Sequence, residues 1–381
     1  MTNIYWIRHA EAEGNLYRRC HGQYDSLVTE NGKAQIKALK NRFKGLRVDA
    51  VYSSDLYRTR KTAEAVAYPH EINTLRELRE IALGPWEDLT WCDLSRRWPE
   101  LDETFSTRPW EFSIEGGESL TAVAERGLSA LDKIIARHKN ETVAVFSHGM
   151  LTRAVMTRVS GLRLDQMNAL PHGDNTSVTL IEAGNGRLPA LKYYADNSHL
   201  GELSTLARQT WWRESSKVLH DDGFWYREPD FETETPIIEA YRRDAWTTIY
   251  GTLKNYDSNA FIQEAKRQLE ACPAAVVFAM NGDEIAGLLQ LDTQMELRPG
   301  SGHISFFYLE PRFRNRGLGV QMLGQAVSFY RSLGRSRVAL RVADKNVSAL
   351  RFYRKYGFRQ FSAEKGFSGK LLHLDLDIEV K

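Results

Sequence analysis

Cysteine is scarce in this chain: only Cys20, Cys92 and Cys272 occur in 381 residues. An odd, widely spaced trio makes neither a disulfide framework nor a close-spaced set of metal ligands, and it fits a reducing compartment. No apolar run approaches the ~18 residues of a membrane span. The amino terminus runs straight into a short strand, without the basic region and apolar core of a secretory signal. Lys plus Arg number 51 against 49 Asp plus Glu, a net charge of +2, so no strong field favours nucleic acid or an anionic membrane. These absences predict a cytoplasmic protein with neither nucleic-acid nor membrane partners. What is present is an ordinary globular composition, 42% apolar and 26% charged, in a chain too long for one core, which predicts two domains.

Two strand-like runs each end in histidine. Ile4-Tyr5-Trp6-Ile7 leads into Arg8-His9, and Thr142–Ser147 leads into His148-Gly149. If both are parallel strands of one open α/β sheet, their carboxyl ends share the edge where such sheets place ligands. Two imidazoles and a guanidinium would then converge in a crevice suited to phosphate. A single histidine of this kind is more simply a core or surface residue; two in equivalent positions favour a site.

Up to about residue 197, strands alternate with helices. Thr29 is a candidate cap for a helix bearing Ile36, Leu39 and Phe43. Residues 48–52 read as a strand, 56–67 as a helix, and 118–137 carry the clearest helical period. A helix near 150–160 and strands at 177–183 and 188–195 follow, so a mostly parallel sheet covered on both faces is expected. Residues 198–235 change character: Pro229 interrupts them, and they hold Trp211, Trp212, Phe224, Trp225 and Tyr226. They read as an aromatic-rich connector packed on one or both domains, or as an extension of the first. From 236 onward an α+β pattern predicts helices at 237–252 and 258–271 and strands at 274–280 and 284–291 around Asn281-Gly282, a hairpin signal. It continues with a strand at 303–309, a helix at 318–333, a strand at 337–342, a helix at 347–356 and a strand at 371–378.

Arg8-His9-Ala10-Glu11 with Asn15 resembles the signature of the histidine phosphatase superfamily, in its phosphoglycerate-mutase-like branch. Further matches follow in order: Gly22, Asp25, Leu27, Thr29, Gly32 and Gln35; Ser53 to Thr59 with Thr62-Ala63; Arg79-Glu80-Ile81 with Gly84, Trp86 and Glu87; Gly116 to Ser119; and Ser147-His148-Gly149. The resemblance covers residues 1–197 and implies a three-layer α/β/α sheet. It also implies that His9 attacks phosphorus to form a phosphohistidine, that Arg8, Arg58 and His148 hold the phosphoryl oxygens, and that Glu80 protonates the leaving oxygen and then activates water. A neutral imidazole, with a reference pKa of ~6.5, suits attack on a dianionic ester. Asn15 is a further phosphate donor, and no metal is implied. Arg58 sits beside Arg60 and Lys61, and Glu80 follows Glu77 and Arg79, so a solvated face and an exposed ion-pair cluster are the plainer alternatives for these two. Ala10 stands where many members carry glycine; were positive φ needed there, alanine would add strain. The segment Ala12-Glu13-Gly14-Asn15 resembles phosphatases more than glycolytic mutases.

Arg314-Asn315-Arg316-Gly317-Leu318-Gly319 lies between an expected strand and an expected helix. Glycines there let backbone N–H groups approach a pyrophosphate, although a tight turn would serve equally. With Asn346, Ala349, Tyr353, Gly357 and Phe358, the loop resembles that of the GNAT N-acetyltransferase superfamily over residues 236–381, which implies an α+β domain that uses acetyl-CoA. By that resemblance Arg314, Arg316, Gly317, Gly319 and Asn346 border the cofactor, Leu309 lies on the strand pairing with its pantetheine arm, and Tyr353 protonates the thiolate unless it merely packs the helix. Glu310 or a water chain would serve as base. The leading expectation is a bifunctional enzyme, a phosphomonoesterase for a small phosphorylated metabolite joined to an acetyltransferase for an amine acceptor, with homo-oligomerisation open. Phosphoglycerate mutase activity in the first domain, or a non-catalytic regulatory role for one domain, are the alternatives.

Overall fold

The computed structural model describes residues 1–184, 187–208 and 223–380. The chain divides between Leu219 and His220 into two compact units, each with its own sheet. Among the described residues no helix is long and apolar enough to cross a membrane.

The first unit is built on six strands in the order β3-β2-β4-β1-β5-β6: β1 Thr2–Arg8, β2 Ala50–Ser53, β3 Ile72–Thr74, β4 Thr142–Ser147, β5 Val178–Gly184 and β6 Arg187–Asp196. β1 to β4 pair in parallel, whereas β5 and β6 are antiparallel. Near-continuous apolar runs in the central strands follow from burial on both faces. In β4, Val143 and Val145 join one core with Ile4, Trp6, Leu151 and Val155. Ala144 and Phe146 join a second core with Ile7, Leu39 and Val51 on the opposite face. Burying each large side chain contributes about 1.5–3 kcal/mol, so both layers pin the strand whose end carries His148.

The register sets Arg8 directly beside Ser147, so the two histidine-ended strands are neighbours. Helix Leu120–Arg137 covers one face; Ser119 caps it through the Ala122 N–H, and it packs on helix Gly149–Val159. At their crossing a Cβ on Gly127 would lie 2.4 Å from Val155 Cγ2, so any larger residue would push the two helices apart. Thr29 caps helix Glu30–Arg42 by accepting from Gly32 N–H, as expected.

The second unit is a seven-stranded sheet, order β12-β13-β11-β10-β9-β8-β7. Its strands are β7 Trp225–Arg227, β8 Val276–Asn281, β9 Glu284–Asp292, β10 Ser301–Leu309, β11 Arg337–Ala343, β12 Arg359–Lys365 and β13 Lys370–Asp377. Only β10 and β11 are parallel, and they pair solely from Ser301–Ile304 to Arg337–Leu340. The β8–β9 turn has Gly282 at φ 57° and pairs Asn281 with Glu284, so the two-residue loop is Gly282-Asp283, one position later than the Asn-Gly signal suggests.

The stretch 198–235 is not one connector where it is described. Thr205 Oγ1 and Arg208 bond Glu11, and Asp174 accepts from Thr205 N–H and Ser204 Oγ, so residues up to 208 belong with the first unit. Trp225–Arg227 instead forms an edge strand on β8, and Phe224 is fully buried in the second unit, with its ring 6.4 Å from Phe313. Trp211 and Trp212 lie outside the described residues.

Candidate active sites

In the first unit the two imidazoles meet. The rings of His9 and His148 are 5.2 Å apart, and both residues are buried. Backbone bonds hold His9 from both sides: its N–H donates to Ser147 O, and its carbonyl accepts from Asn175 Nδ2. His9 Nδ1 lies 2.7 Å from Ala10 O. A carbonyl only accepts, so Nδ1 carries the proton and Nε2 presents a lone pair. Burial, then Arg58 and Arg8, hold this imidazole well below its ordinary pKa, so it is neutral at physiological pH.

His148 is fixed through Nε2, 3.0 Å from Ser54 Oγ. That hydroxyl also accepts from Leu56 N–H, and giving its own proton to His148 Nε2 is the arrangement that satisfies both groups. Nδ1 then bears hydrogen, and it is buried without a partner among the described residues. Burial, with Arg58 and His9 next, also keeps His148 well below the ordinary value. Arg8 donates through Nη1 to Gly173 O, while its Nε is likewise buried with no partner among the described residues. Gly149 permits this approach, because a Cβ there would stand 3.3 Å from Arg8 Nε. Arg58 is 1% exposed; its guanidinium donates to the carbonyls of Tyr24 and Gly22 and lies 4.0 Å from Asp25. Burial pulls both guanidinium groups down from their ordinary value. Two guanidinium groups crowded beside two imidazoles, with Arg8 Nε and His148 Nδ1 left without an acceptor among the described residues, fit an anion site.

Glu80 joins the same crevice. Its carboxylate accepts from Met150 N–H at 2.9 Å and Leu151 N–H at 3.0 Å, capping helix Gly149–Val159 from outside, since His148 offers no side-chain cap. This meets two of the helix's orphan donors. The exposed ion-pair alternative for Glu80 does not hold, nor does the solvated face for Arg58. Asn15 Oδ1 accepts from Ala12 N–H and Asn175 Nδ2, so any phosphate contact falls to Nδ2. Ala10 is buried, gives its N–H to Thr62 Oγ1, and is not among the residues with left-handed φ. The strain anticipated there is absent.

Several supporting residues escaped the sequence reading as site residues. Glu87 accepts from the N–H groups of Gly22, Gln23, Tyr24 and Leu83, shaping the loop whose carbonyls orient Arg58. Arg126 donates to the carbonyls of Glu77, Arg79 and Glu80 and pairs with Glu118. Neither role has a local signal, because each depends on contacts made 46 or more residues away. Among the described residues no three His, Cys, Asp or Glu side chains gather to hold a metal ion.

In the second unit β10 and β11 part after Ile304, where the β10 register against β9 also shifts between Ile304 and Phe306. Phe306 and Phe307, consecutive in the parted stretch, meet different neighbours: Arg242 over Phe306, and Tyr353 6.1 Å from Phe307. The loop after β10 leads into helix Gly319–Ser332, which begins without a side-chain cap. Gly317 has φ 78° and open space around it, whereas a Cβ on Gly319 would stand 3.2 Å from Phe352. These features fit a pyrophosphate group at an uncapped helix start.

The remaining candidates there are more occupied than the resemblance implies. Arg314 donates to Leu309 O and lies 3.5 Å from Asp244, so its guanidinium turns back along β10. Arg316 lies 5.9 Å from the Phe313 ring, and Asn346 caps helix Val347–Lys355 through Ala349 N–H. Glu310 accepts from Tyr241 Oη at 2.6 Å and pairs with Arg312. Tyr353 is buried among Phe307, Phe352 and Phe358, and that burial pushes its phenol up, so it stays protonated.

Comparison with known proteins agrees with this geometry. Residues 4–197 match the histidine phosphatase superfamily (branch 1), and residues 235–358 match the acetyltransferase (GNAT) family. Phosphoserine phosphatase 1 of Hydrogenobacter thermophilus is 32% identical over 205 residues, covering 53% of this chain and 96% of the relative. The metal-independent phosphoserine phosphatase of Arabidopsis thaliana is 32% identical over 213 residues, 55% of this chain and 87% of the relative. The solved structure of Bacillus stearothermophilus YhfR superposes with a TM-score of 0.51 at 32% identity, covering 52% of this chain and 99% of that one. With its two imidazoles and two guanidinium groups gathered at one sheet edge, the chain belongs to the histidine phosphatase superfamily, and it carries a GNAT acetyltransferase domain in its second unit.

Proposed function

We propose that the first unit hydrolyses the phosphomonoester of a small metabolite, without a metal, through a phosphohistidine. Two buried donors with no partner among the described residues, Arg8 Nε and His148 Nδ1, beside the lone pair of neutral His9, carry this assignment. His9 Nε2 attacks phosphorus, and the P–O bond to the leaving group breaks as Glu80 gives that oxygen a proton. Arg8, Arg58 and His148 offset the charge spread over the phosphoryl oxygens. Water then attacks phosphorus and the P–N bond breaks; Glu80 takes the water's proton and inorganic phosphate leaves. Both curated relatives described above are named phosphoserine phosphatases, which makes phosphorylated amino acids the first substrates to try. Purified protein should release phosphate from an aryl phosphate in EDTA and trap an acid-labile phosphoenzyme, and His9→Ala should lose both. Full activity in that variant would refute the nucleophile. Assaying a phosphoglycerate for isomer formation alongside phosphate release separates hydrolase from mutase.

The second unit transfers an acetyl group to an amine. When bound, acetyl-CoA supplies an activated thioester. The loop N–H groups around Gly317 and Gly319 would hold its pyrophosphate, the stretch of β10 from Phe306 to Leu309, paired with β9 but parted from β11, would offer backbone groups to the pantetheine arm, and Tyr353 would give a proton to the thiolate. The two activities on one chain make the protein bifunctional.

A further inference from the structure

Away from these residues, buried polar groups with no partner among the described residues gather on one face of the second sheet. Arg242, on helix Thr235–Tyr250, is 7% exposed and lies over the rings of Phe306 at 4.0 Å and Phe261 at 4.7 Å. Its Nη2 donates to Gln290 Oε1 and is 3.9 Å from Glu264, but its Nε is buried without a partner. Gln290 is fully buried, and its Nε2 also has none. Four residues on from Arg242, hence on the same helix face, Trp246 packs 5.9 Å from Phe261, and its Nε1–H is buried and unpartnered as well.

Three neighbouring side chains therefore each keep an N–H group with no partner among the described residues, Arg242 Nε, Gln290 Nε2 and Trp246 Nε1, while the acceptors beside them are Gln290 Oε1, already taken by Arg242, and Glu264. Burying a guanidinium costs several kcal/mol unless it is paired, and apolar residues would fill this space at less cost. Burial does lower Arg242, to about 10, which leaves it charged at neutral pH. The complement of a cation and neighbouring N–H groups without partners is an anion with acceptor oxygens alone, a carboxylate. The cluster also has a direction. Phe306, which Arg242 covers, and Phe307, beside Tyr353, are successive residues of the strand that has parted from β11. A molecule anchored at Arg242 would thus reach toward the gap from the side opposite Tyr353.

We propose that the acetyl acceptor is an amine that also carries a carboxylate, an amino acid, held through that carboxylate by Arg242 with Gln290 and Trp246. This rests on the assignment of the second unit as an acetyltransferase. The test uses the full chain with acetyl-CoA, following thiol release with L-serine against ethanolamine, L-tyrosine against tyramine and L-histidine against histamine, pairs that differ only in the carboxylate. Titration calorimetry of the same compounds runs in parallel. The amino acids should be favoured in kcat/KM by about 10- to 100-fold, the worth of a charged hydrogen bond that the decarboxylated amines cannot make. Arg242→Gln should raise KM for the amino acids about 30-fold or more, the loss of a charged hydrogen bond, and leave the decarboxylated amines and acetyl-CoA binding within about threefold. Trp246→Phe keeps the ring and removes only the donor; a selective KM rise of about three- to tenfold keeps the question open to measurement should Arg242→Gln fail to fold. Decarboxylated amines used as well as the amino acids, or variants that weaken both series equally, would overturn the proposal while leaving the transferase intact. The proposal falls in the same way if acetyl-CoA binds and no amino acid binds or reacts. Failure to bind acetyl-CoA would instead remove the transferase assignment itself, and this proposal with it.

Discussion

Replacing Arg126 by glutamine tests whether catalysis depends on a residue remote from phosphorus. The guanidinium bonds three nearby carbonyls, Glu77 O at 2.8 Å, Arg79 O at 2.6 Å and Glu80 O at 2.8 Å, and a two-pronged pair ties it to Glu118. Arg126 and Glu118 side chains are 18% and 25% exposed, so solvent screens them only partly. Charged hydrogen bonds contribute about 1.5–3 kcal/mol each in favourable cases; with partial exposure, about 3 kcal/mol for the whole set is the reasonable scale. If half of that holds Glu80 in place, kcat should fall about tenfold, and up to about 100-fold if all of it does. The assay is steady-state hydrolysis of an aryl and an alkyl phosphate. KM should move little, because Arg8, Arg58 and His148 are untouched, and the alkyl ester, which needs its leaving oxygen protonated, should suffer more. A variant whose kcat stays within twofold for both esters while only its melting temperature drops would refute the positioning role.

Three other expectations are simple to check. Glu80→Gln keeps an acceptor for one of the Met150 and Leu151 N–H groups, which bond different carboxylate oxygens, but has no carboxyl proton to give, so turnover of an alkyl phosphate should drop at least about 100-fold and that of p-nitrophenyl phosphate far less; equal losses would remove the acid role. Gly317→Val forces a β-branched residue to φ 78°, a cost of about 1–2 kcal/mol, and should weaken acetyl-CoA binding about tenfold or more by calorimetry; unchanged affinity would make the loop only a turn. His21 and His303 are each pulled to about 4, mainly by burial, against ~6.5 when unfolded. The unfolded chain therefore binds protons that the native state refuses, and stability is lost as pH falls from about 7 toward 4. Between pH 7 and 5 this amounts to about 2 kcal/mol per histidine, visible as a lower urea midpoint, and a midpoint that stays level or rises contradicts it.

The adjacency of β1 and β4 is legible in sequence because both are continuous apolar runs ending in histidine, a pattern that burial on two faces demands. His9, Arg8, Arg58, Glu80 and His148 do come together, and the chain itself names them through ordered motifs. Less was legible wherever structure depends on distant partners. β3 has three residues and no alternation to read, and helices Trp91–Arg97 and Pro99–Thr107 fall in a stretch where periodicity is too short to detect. Trp225–Arg227 looks like part of a tether until β8 supplies its partner, and β12 is exposed along most of its length, so it lacks an apolar rhythm. The family resemblance puts Arg314 beside the cofactor at the glycine loop, whereas Leu309 O and Asp244 draw its guanidinium elsewhere.

Ordinarily a sheet shows unsatisfied main chain only along its two outermost strands. The divergence of β10 from β11 beyond Ile304 opens a third margin in the middle of the second unit, where amides between Phe306 and Leu309 have a neighbour on one flank alone. Such amides trade hydrogen for deuterium quickly in water and slow down when an extended, amide-bearing molecule slides in as a surrogate strand. Deuterium uptake over this short stretch is thus a reporter of occupancy that needs neither turnover nor knowledge of the acceptor.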